Sequence, residues 1–336
     1  METCGDASRT MVLIDAYSQI FRAFFAIRML TNAKGEPVNA AFVFTRLLLQ
    51  LEKSYPSEAG AMLFDCGKVK FRTGILPEYK ANRPPMPEEL ASQIPLIKRI
   101  AAAFGWPLLQ HEDWEADDLI GGLAGRFADY AVKIVSSDKD LSQLIDDRVE
   151  MLIPSGSGAG FERRGREEVG RKFGVGPELI VDYLALLGDA SDNIPGVAGI
   201  GPKGAADLLN TFGPAQEWMD DIGKLAASKY YKKLRPQLET LARNRRLIRL
   251  RTELPEDMPL AAAPRRTAPD WAEIAAICRE NQFNSILREL PEVAAAAPQG
   301  SVPADEEDDL FSYAASSDAK AKPDPDAGKP VQPELF

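Results

Sequence analysis

Nine acidic residues stand where metal-dependent chemistry on phosphates would need them. Asp15 closes the apolar run Met11-Val12-Leu13-Ile14, and Asp65 closes Ala61-Met62-Leu63-Phe64. Glu115, Asp117 and Asp118 fall in EADDLIGGLA, Asp138 and Asp140 in IVSSDKD, and Asp189 and Asp192 in LLGDASDNIPG. Carboxylates that end sheet-forming runs gather at the C-terminal edge of a sheet, where open α/β folds keep their sites. Oxygen ligands, in a chain with a single histidine, select hard divalent cations, so Mg²⁺ or Mn²⁺ is expected rather than Zn²⁺. Each acid also has a plainer reading. Asp15 and Asp65 suit helix N-caps, acids in the first turn of a helix suit its dipole, and Asp189 and Asp192 suit turns. Three acids within four residues at 115–118 exceed what capping needs, however, and they repel one another unless a cation sits among them.

Two further segments suit a polyanion. Arg72, then Tyr79, Lys80 and Arg83 in EYKANRPP, form a basic-aromatic stretch able to grip phosphates and stack Tyr79 on a base; the plain alternative is a solvated loop. In IPGVAGIGPKGAA, Gly199, Gly201 and Lys203 read as a hairpin entering a helix, with the whole helix-hairpin-helix over residues 194–212. Glycines there let backbone approach a phosphate, and the helix N-terminus offers free N–H groups to it. Such a layout binds the DNA backbone without reading sequence.

The elements that must position these residues follow from the apolar pattern. Residues 1–155 alternate short apolar runs (MVLI, AMLF, PLLQ, VKIV, VEMLI) with helical patterns, which implies an α/β fold with a mainly parallel sheet. After the Gly/Ser loop SGSGAG the β signal disappears, and residues 156–290 read as helices. Residues 291–336 are rich in Ala, Pro, Asp, Glu and Ser and are expected to be disordered. The 336 residues carry a net charge of −10, but the tail holds −7 of it, with ten acids against three lysines. With the nine candidate ligands set apart, the body has 37 basic and 31 acidic residues, which leaves room for a basic surface around an acidic cleft. Three widely spaced cysteines, a polar N-terminus without signal-peptide layout and the lack of a long apolar run fit a cytoplasmic, reducing setting without a membrane. Nothing demands more than a monomer.

Taken in order, LIDAYSQIFRAFFA, LFDCGKVKFR, EYKANRPPMPEEL, WEADDLIGGLA, SDKDLSQLI, LLGDASDNIPGVAGIGPKGAADLL and FNSILREL carry a family likeness from about Met11 to Leu290. The chain resembles the bacterial 5′-nucleases: the 5′→3′ exonuclease domain fused to type-I DNA polymerases and its flap-endonuclease relatives. The resemblance implies a two-metal phosphodiesterase in primer removal and repair. Asp15, Asp65, Glu115, Asp117 and Asp118 would surround one ion, and Asp138, Asp140, Asp189 and Asp192 the second. Lys80 and Arg83 would neutralise the scissile phosphate from a helical arch near residues 68–92, and Tyr79 would stack on an unpaired nucleotide. The helix-hairpin-helix would hold duplex DNA, with a K⁺ ion on backbone carbonyls. Two departures stand out. Ser137 occupies a position commonly Gly in the family, and the sequence ends after the nuclease, which would make it a stand-alone enzyme. The final Gln332-Pro333-Glu334-Leu335-Phe336 looks like a sliding-clamp-binding peptide, with Gln332, Leu335 and Phe336 as anchors. The reading from a different class is a catalytically silent DNA-binding scaffold of the same fold; a single-strand RNase would leave the hairpin and arch unexplained.

Overall fold

The computed structural model describes residues 9–67, 69–155, 160–258 and 260–291. The expected tail and its terminal peptide therefore lie outside the described residues. In chain order come β1 (Thr10–Asp15), α1 (Ala16–Ala26), α2 (Asn39–Ser54), β2 (Ala59–Asp65), α3 (Lys70–Ile75), α4 (Glu88–Ala91), α5 (Ile94–Ala103), β3 (Leu108–His111), α6 (Ala116–Arg126), β4 (Ala131–Val135) and β5 (Val149–Pro154). They continue with β6 (Phe161–Arg164), α7 (Arg166–Phe173), α8 (Ile180–Leu187), β7 (Gly188–Asp189), β8 (Ile194–Pro195), α9 (Pro202–Phe212), α10 (Gln216–Met219), α11 (Tyr231–Leu234), α12 (Leu238–Ile248), α13 (Trp271–Glu280) and α14 (Asn284–Glu289).

The main sheet has the order β3-β2-β1-β4-β5-β6. Its first five strands are parallel, and β6 runs antiparallel to β5. All five apolar runs named from sequence are strands. β1 lies at the centre, and Met11, Val12, Leu13 and Ile14 are fully buried, which is why the run is continuously apolar rather than alternating. β6 is a difference from the sequence reading: FERR carries no apolar signal because it is an edge strand, held by a ladder from Pro154↔Phe161 to Met151↔Arg164. The sheet thus continues past the Gly/Ser loop.

One face of the sheet packs against α1, α2, α5, α13 and α14, with Phe44, Phe104, Ile274 and Phe283 buried among Val12, Ile14 and Phe64. The C-terminal helices α13 and α14 therefore return to the α/β part. The opposite face is covered by α6, whose Leu119, Ile120 and Leu123 join a core continuous with α8, α9 and α12.

The glycines of α6 show how closely that helix sits. Cβ atoms at Gly121, Gly122 and Gly125 would lie 2.5, 2.8 and 2.6 Å from the carbonyl oxygens of Arg251, Glu253 and Thr252. Only bare backbone lets the helix lie on the 251–253 strand of chain. Gly121→Ala is expected to destabilise by about 1–3 kcal/mol, the usual cost of overpacking. Gly74→Ala, in α3 with nothing within 4 Å of its Cβ position, should be neutral or stabilising. Denaturant midpoints of the two variants check this; equal midpoints would refute the packing argument.

Candidate metal centre

The C-terminal ends of β1, β2 and β4 lie side by side at the sheet's switch point, and they deliver the first acids. Asp15 ends β1 and also caps α1, accepting from the Ser18 N–H (3.2 Å) and from Ser136 Oγ (2.8 Å). Capping and site geometry are here the same arrangement. Asp65 ends β2 and accepts the Ala116 N–H at 2.7 Å, which ties β2 to the start of α6. Asp138 follows β4 and accepts the Asp140 N–H at 2.8 Å. Asp189 lies in β7, where Ser191 donates to it through both N–H (2.9 Å) and Oγ (2.6 Å).

These converge on a cleft of about 560 Å³ lined by Asp15, Asp65, Glu115, Asp117, Asp138, Asp140, Asp189 and Asp192. Five cations also line it: Arg72, Lys80, Arg83, Lys139 and Lys172. Lys139 stands 3.2 Å from Asp189; sequence reasoning passed over it and Lys172, although Lys139 lies between two candidate ligands in SDKD. Ser137 also lines the cleft, with its hydroxyl 3.4 Å from that of Ser18.

The carboxylates divide into two electrostatic classes. Burial, then repulsion from Asp65 and Asp138, pushes Asp15 up to about 7. Burial, with Asp138, Asp15 and Asp65 nearby, pushes Asp117 well up, and Asp140 rises through burial and the charges of Asp138, Asp189 and Asp192. Asp138 and Asp65 are raised as well, burial leading in both. In Glu115 burial works upward, but Lys80 (2.9 Å) and Arg72 (3.2 Å) prevail and hold it low. Asp189 likewise stays low despite burial, through Ser191 and Lys139.

The donor set fits hard divalent cations. Ligand oxygens of Asp140, Asp189 and Asp192 lie within 4.8 Å of one another, and Asp140 Oδ1 is buried without a hydrogen-bond partner. Asp15, Asp65, Asp117 and Asp138 form the neighbouring repelling group, so Asp138 faces both sets rather than the second alone.

Three expected roles are corrected. Asp118 is fully buried, does not line the cleft and is bonded to Arg72 Nη1 (2.6 Å), Arg72 Nη2 (2.9 Å) and the Arg251 N–H (3.0 Å). It is a structural counter-ion, because on α6 it points a residue's turn away from Asp117. Arg72 is 2% exposed and also donates to the Leu247 carbonyl, so it braces the site instead of meeting DNA phosphate. Tyr79 is 4% exposed and donates toward Glu115 (3.1 Å) and Asp192 (3.0 Å), which leaves no face for a base.

Lys80 and Arg83 do reach the cleft, from a turn that lies against the β7–β8 hairpin. The Lys80 N–H donates to the Asp192 carbonyl (3.0 Å), Asn82 to the Ala190 carbonyl (2.7 Å) and Asn193 to the Glu78 carbonyl (2.8 Å). Lys80 takes φ +54°, a conformation that a side chain accepts only when its surroundings impose it. Gly199, Gly201 and Lys203 lie outside the cleft and are exposed, the glycines on the loop entering α9 and Lys203 in its first turn. In that loop the carbonyls of Val197, Ala198 and Gly199 accept from protein donors, the last from the Lys233 ammonium, and a loop already holding this cation does not fit the expected K⁺ ion.

Two family descriptions match in succession: "5'-3' exonuclease, N-terminal resolvase-like domain" over residues 10–174 and "5'-3' exonuclease, C-terminal SAM fold" over 175–270. A 5'-3' exonuclease of Aquifex aeolicus is 35% identical, covering 88% of this chain and 99% of that protein. The chain belongs to the 5′-3′ exonuclease family. Thermostable DNA polymerase I of Thermus thermophilus is also 35% identical over 87% of this chain, which spans only 34% of that relative's length. Among solved structures, the bacteriophage T5 flap endonuclease in a pseudo-enzyme-product complex with DNA and metal ions is similar at 25% identity and a TM-score of 0.60, covering 85% of this chain and 100% of that one. The helical part thus corresponds to the SAM fold, and no helix among the described residues is long and apolar enough to cross a membrane.

The raised carboxylates make a signed prediction. A folded-state pKa above the ordinary carboxylate value means that the folded chain holds those protons more tightly than the unfolded chain. Their contribution to stability is therefore lost as pH rises from about 4 through about 7, the value for Asp15. Metal-free protein should melt lower at pH 8 than at pH 5.5; Asp117→Asn should raise the pH 8 melting temperature and flatten the slope. Mg²⁺ should raise the wild-type value by mass action. Asp118→Asn, in contrast, should cost about 3–5 kcal/mol by stranding buried Arg72. Thermal melts settle it: no Mg²⁺ shift, or Asp117→Asn as damaging as Asp118→Asn, would overturn the division of the two acids.

Proposed function

We propose that this chain is a metal-dependent, structure-specific 5′-nuclease that hydrolyses DNA phosphodiester bonds at 5′ ends and flaps, in primer removal and repair. The observation that carries it is the cleft in which eight carboxylates meet Lys80 and Arg83. The T5 relative's complex with DNA and metal ions supports the same substrate class.

Asp15, Asp65, Asp117 and Asp138 would hold one divalent ion, and Asp140, Asp189 and Asp192 a second, with Asp138 also facing the second group and Glu115 beside Asp65. Bound there, Mg²⁺ or Mn²⁺ supplies Lewis acidity to the phosphate oxygens and lowers the pKa of the attacking water. The chain's own cations do the rest. Lys80 Nζ and Arg83 Nη2 now sit on Glu115 and Asp192; a phosphate entering the cleft draws both toward its non-bridging oxygens, where negative charge grows in the transition state. Water oxygen bonds to phosphorus, the P–O3′ bond breaks, and the products are a 5′-phosphate and a 3′-hydroxyl. Arg72, bonded to Asp118 and Glu115, fixes the Glu115 carboxylate and thereby the resting place of Lys80.

The test uses a 5′-labelled flap DNA with Mg²⁺ or with EDTA. Short labelled product should appear only with Mg²⁺. Asp117→Ala should bind the flap without cutting, and Lys80→Ala should lower kcat by about 10²-fold, as expected for losing one preorganised charge. Binding without cleavage by the unaltered chain would favour the silent scaffold. The terminal peptide adds a proposed partner: deleting residues 332–336 should abolish sliding-clamp capture and leave flap cutting intact, and retained capture would refute it.

A further inference from the structure

Three successive carbonyls of the loop Val197–Gly201, which enters α9, accept hydrogen bonds from the protein. Val197 O accepts the Ile200 N–H (3.2 Å), Ala198 O accepts Gln237 Nε2 (3.4 Å), and Gly199 O accepts the Lys233 ammonium at 2.8 Å. A monovalent ion on backbone oxygens needs several of these groups at once, and the shortest contact is already made by a cation of the chain itself.

Lys233 is placed there by construction. It comes from α11, and Gln237 one turn on braces the same loop: its Nε2 donates to the Lys233 carbonyl (2.8 Å) and its Oε1 accepts the Ala198 N–H (2.8 Å). Tyr230 pins the segment to α9 by donating to Asp207 at 2.8 Å. Gly199 has φ +82°, and a Cβ there would stand 3.2 Å from Lys233 Cδ; glycine both permits the turn and clears the lysine's path. Neighbouring Lys229 is neutralised by Asp207 at 3.1 Å, whereas Lys233 spends its ammonium on a neutral carbonyl. Positive charge therefore stays at the loop, beside the first-turn N–H groups of α9, which have no intrahelical acceptor.

We infer that Lys233 is a tethered cation that takes the place of a bound monovalent ion at this hairpin, so that the chain grips the sugar-phosphate backbone of duplex DNA without requiring K⁺. The inference rests on the nuclease reading only in taking duplex DNA as the ligand.

The experiment measures flap-DNA affinity of the full chain carrying Asp117→Ala, with Mg²⁺, in the chlorides of K⁺, Na⁺ and tetramethylammonium at equal ionic strength. The three affinities should agree within about twofold. Adding Lys233→Met should weaken binding about tenfold in tetramethylammonium and lower the slope of log affinity against log salt by about one, the signature of a lost phosphate contact; Lys233→Arg should restore both. Binding at least about fivefold tighter in K⁺ than in tetramethylammonium, or a Lys233→Met protein with unchanged affinity and slope, overturns the inference, as does failure to bind at all. Should Lys233→Met misfold, seen as a lowered melting temperature, the cation series on the protein with Lys233 intact still decides. Cleavage with Asp117 intact is scored separately: cation-independent binding without cutting removes the nuclease reading alone.

Discussion

Eight carboxylates in one cleft repel one another, and most of the molecule's construction serves to hold them there. Repulsion of this kind is tolerable only where the backbone is over-determined. The sheet supplies that: β1 is hydrogen-bonded on both sides and buried on both faces, so Asp15 cannot retreat without unzipping its two neighbours. Asp65 is fixed by the Ala116 N–H and Asp138 by its own turn. Acids that could relax into solvent would do so; these are held in place, and burial with mutual repulsion raises their pKa values.

The counter-ions are distributed with the same logic. Arg72 and Asp118 are buried together, and a buried pair of this kind is worth little as net stability. Its value lies in position. Arg72 joins α3 to α6 and to the Leu247 carbonyl at the end of α12, and its remaining reach fixes Glu115. Lys80 and Arg83 remain partly exposed and are held by acids that a phosphate can displace. The Arg72–Asp118 pair is buried and fixed, whereas the Lys80–Glu115 and Arg83–Asp192 pairs carry partly exposed cations and can exchange.

The strand ends, and with them the acids at 15, 65, 138 and 140, were legible because a continuous apolar run followed by Asp has few other meanings in a parallel sheet. Asp118 was not separable from Asp117 by type or spacing. Helical geometry turns adjacent residues about 100° apart, so only one of the two can face the cleft, and nothing local says which; the decision belongs to Arg72, forty-odd residues away. Tyr79 and Arg72 misled for a related reason. A basic-aromatic stretch reads as an exposed nucleic-acid grip, but here Asp192 and Glu115 draw the tyrosine hydroxyl inward and Asp118 draws the guanidinium inward. β6 escaped notice because an edge strand is specified by its partner and carries no pattern of its own.

The region 188–203 joins two tasks that could have been kept apart. Asp189 and Asp192 lie in the β7–β8 hairpin, and the loop that leads into α9 follows within a few residues. The hairpin is locked to the helical core, since Asn244 donates to both the Ala185 and Pro195 carbonyls (3.0 and 2.8 Å) and the Val197 N–H donates to Leu186 (2.8 Å). It is locked to the α/β part through the Asp192 carbonyl and carboxylate on Lys80 and Tyr79. The loop entering α9 is thereby held at a fixed offset from the acids of the cleft. In the proposed reaction one short segment sets both grip and cut, so the position of hydrolysis would follow from backbone geometry, and no base would need to be read to define it.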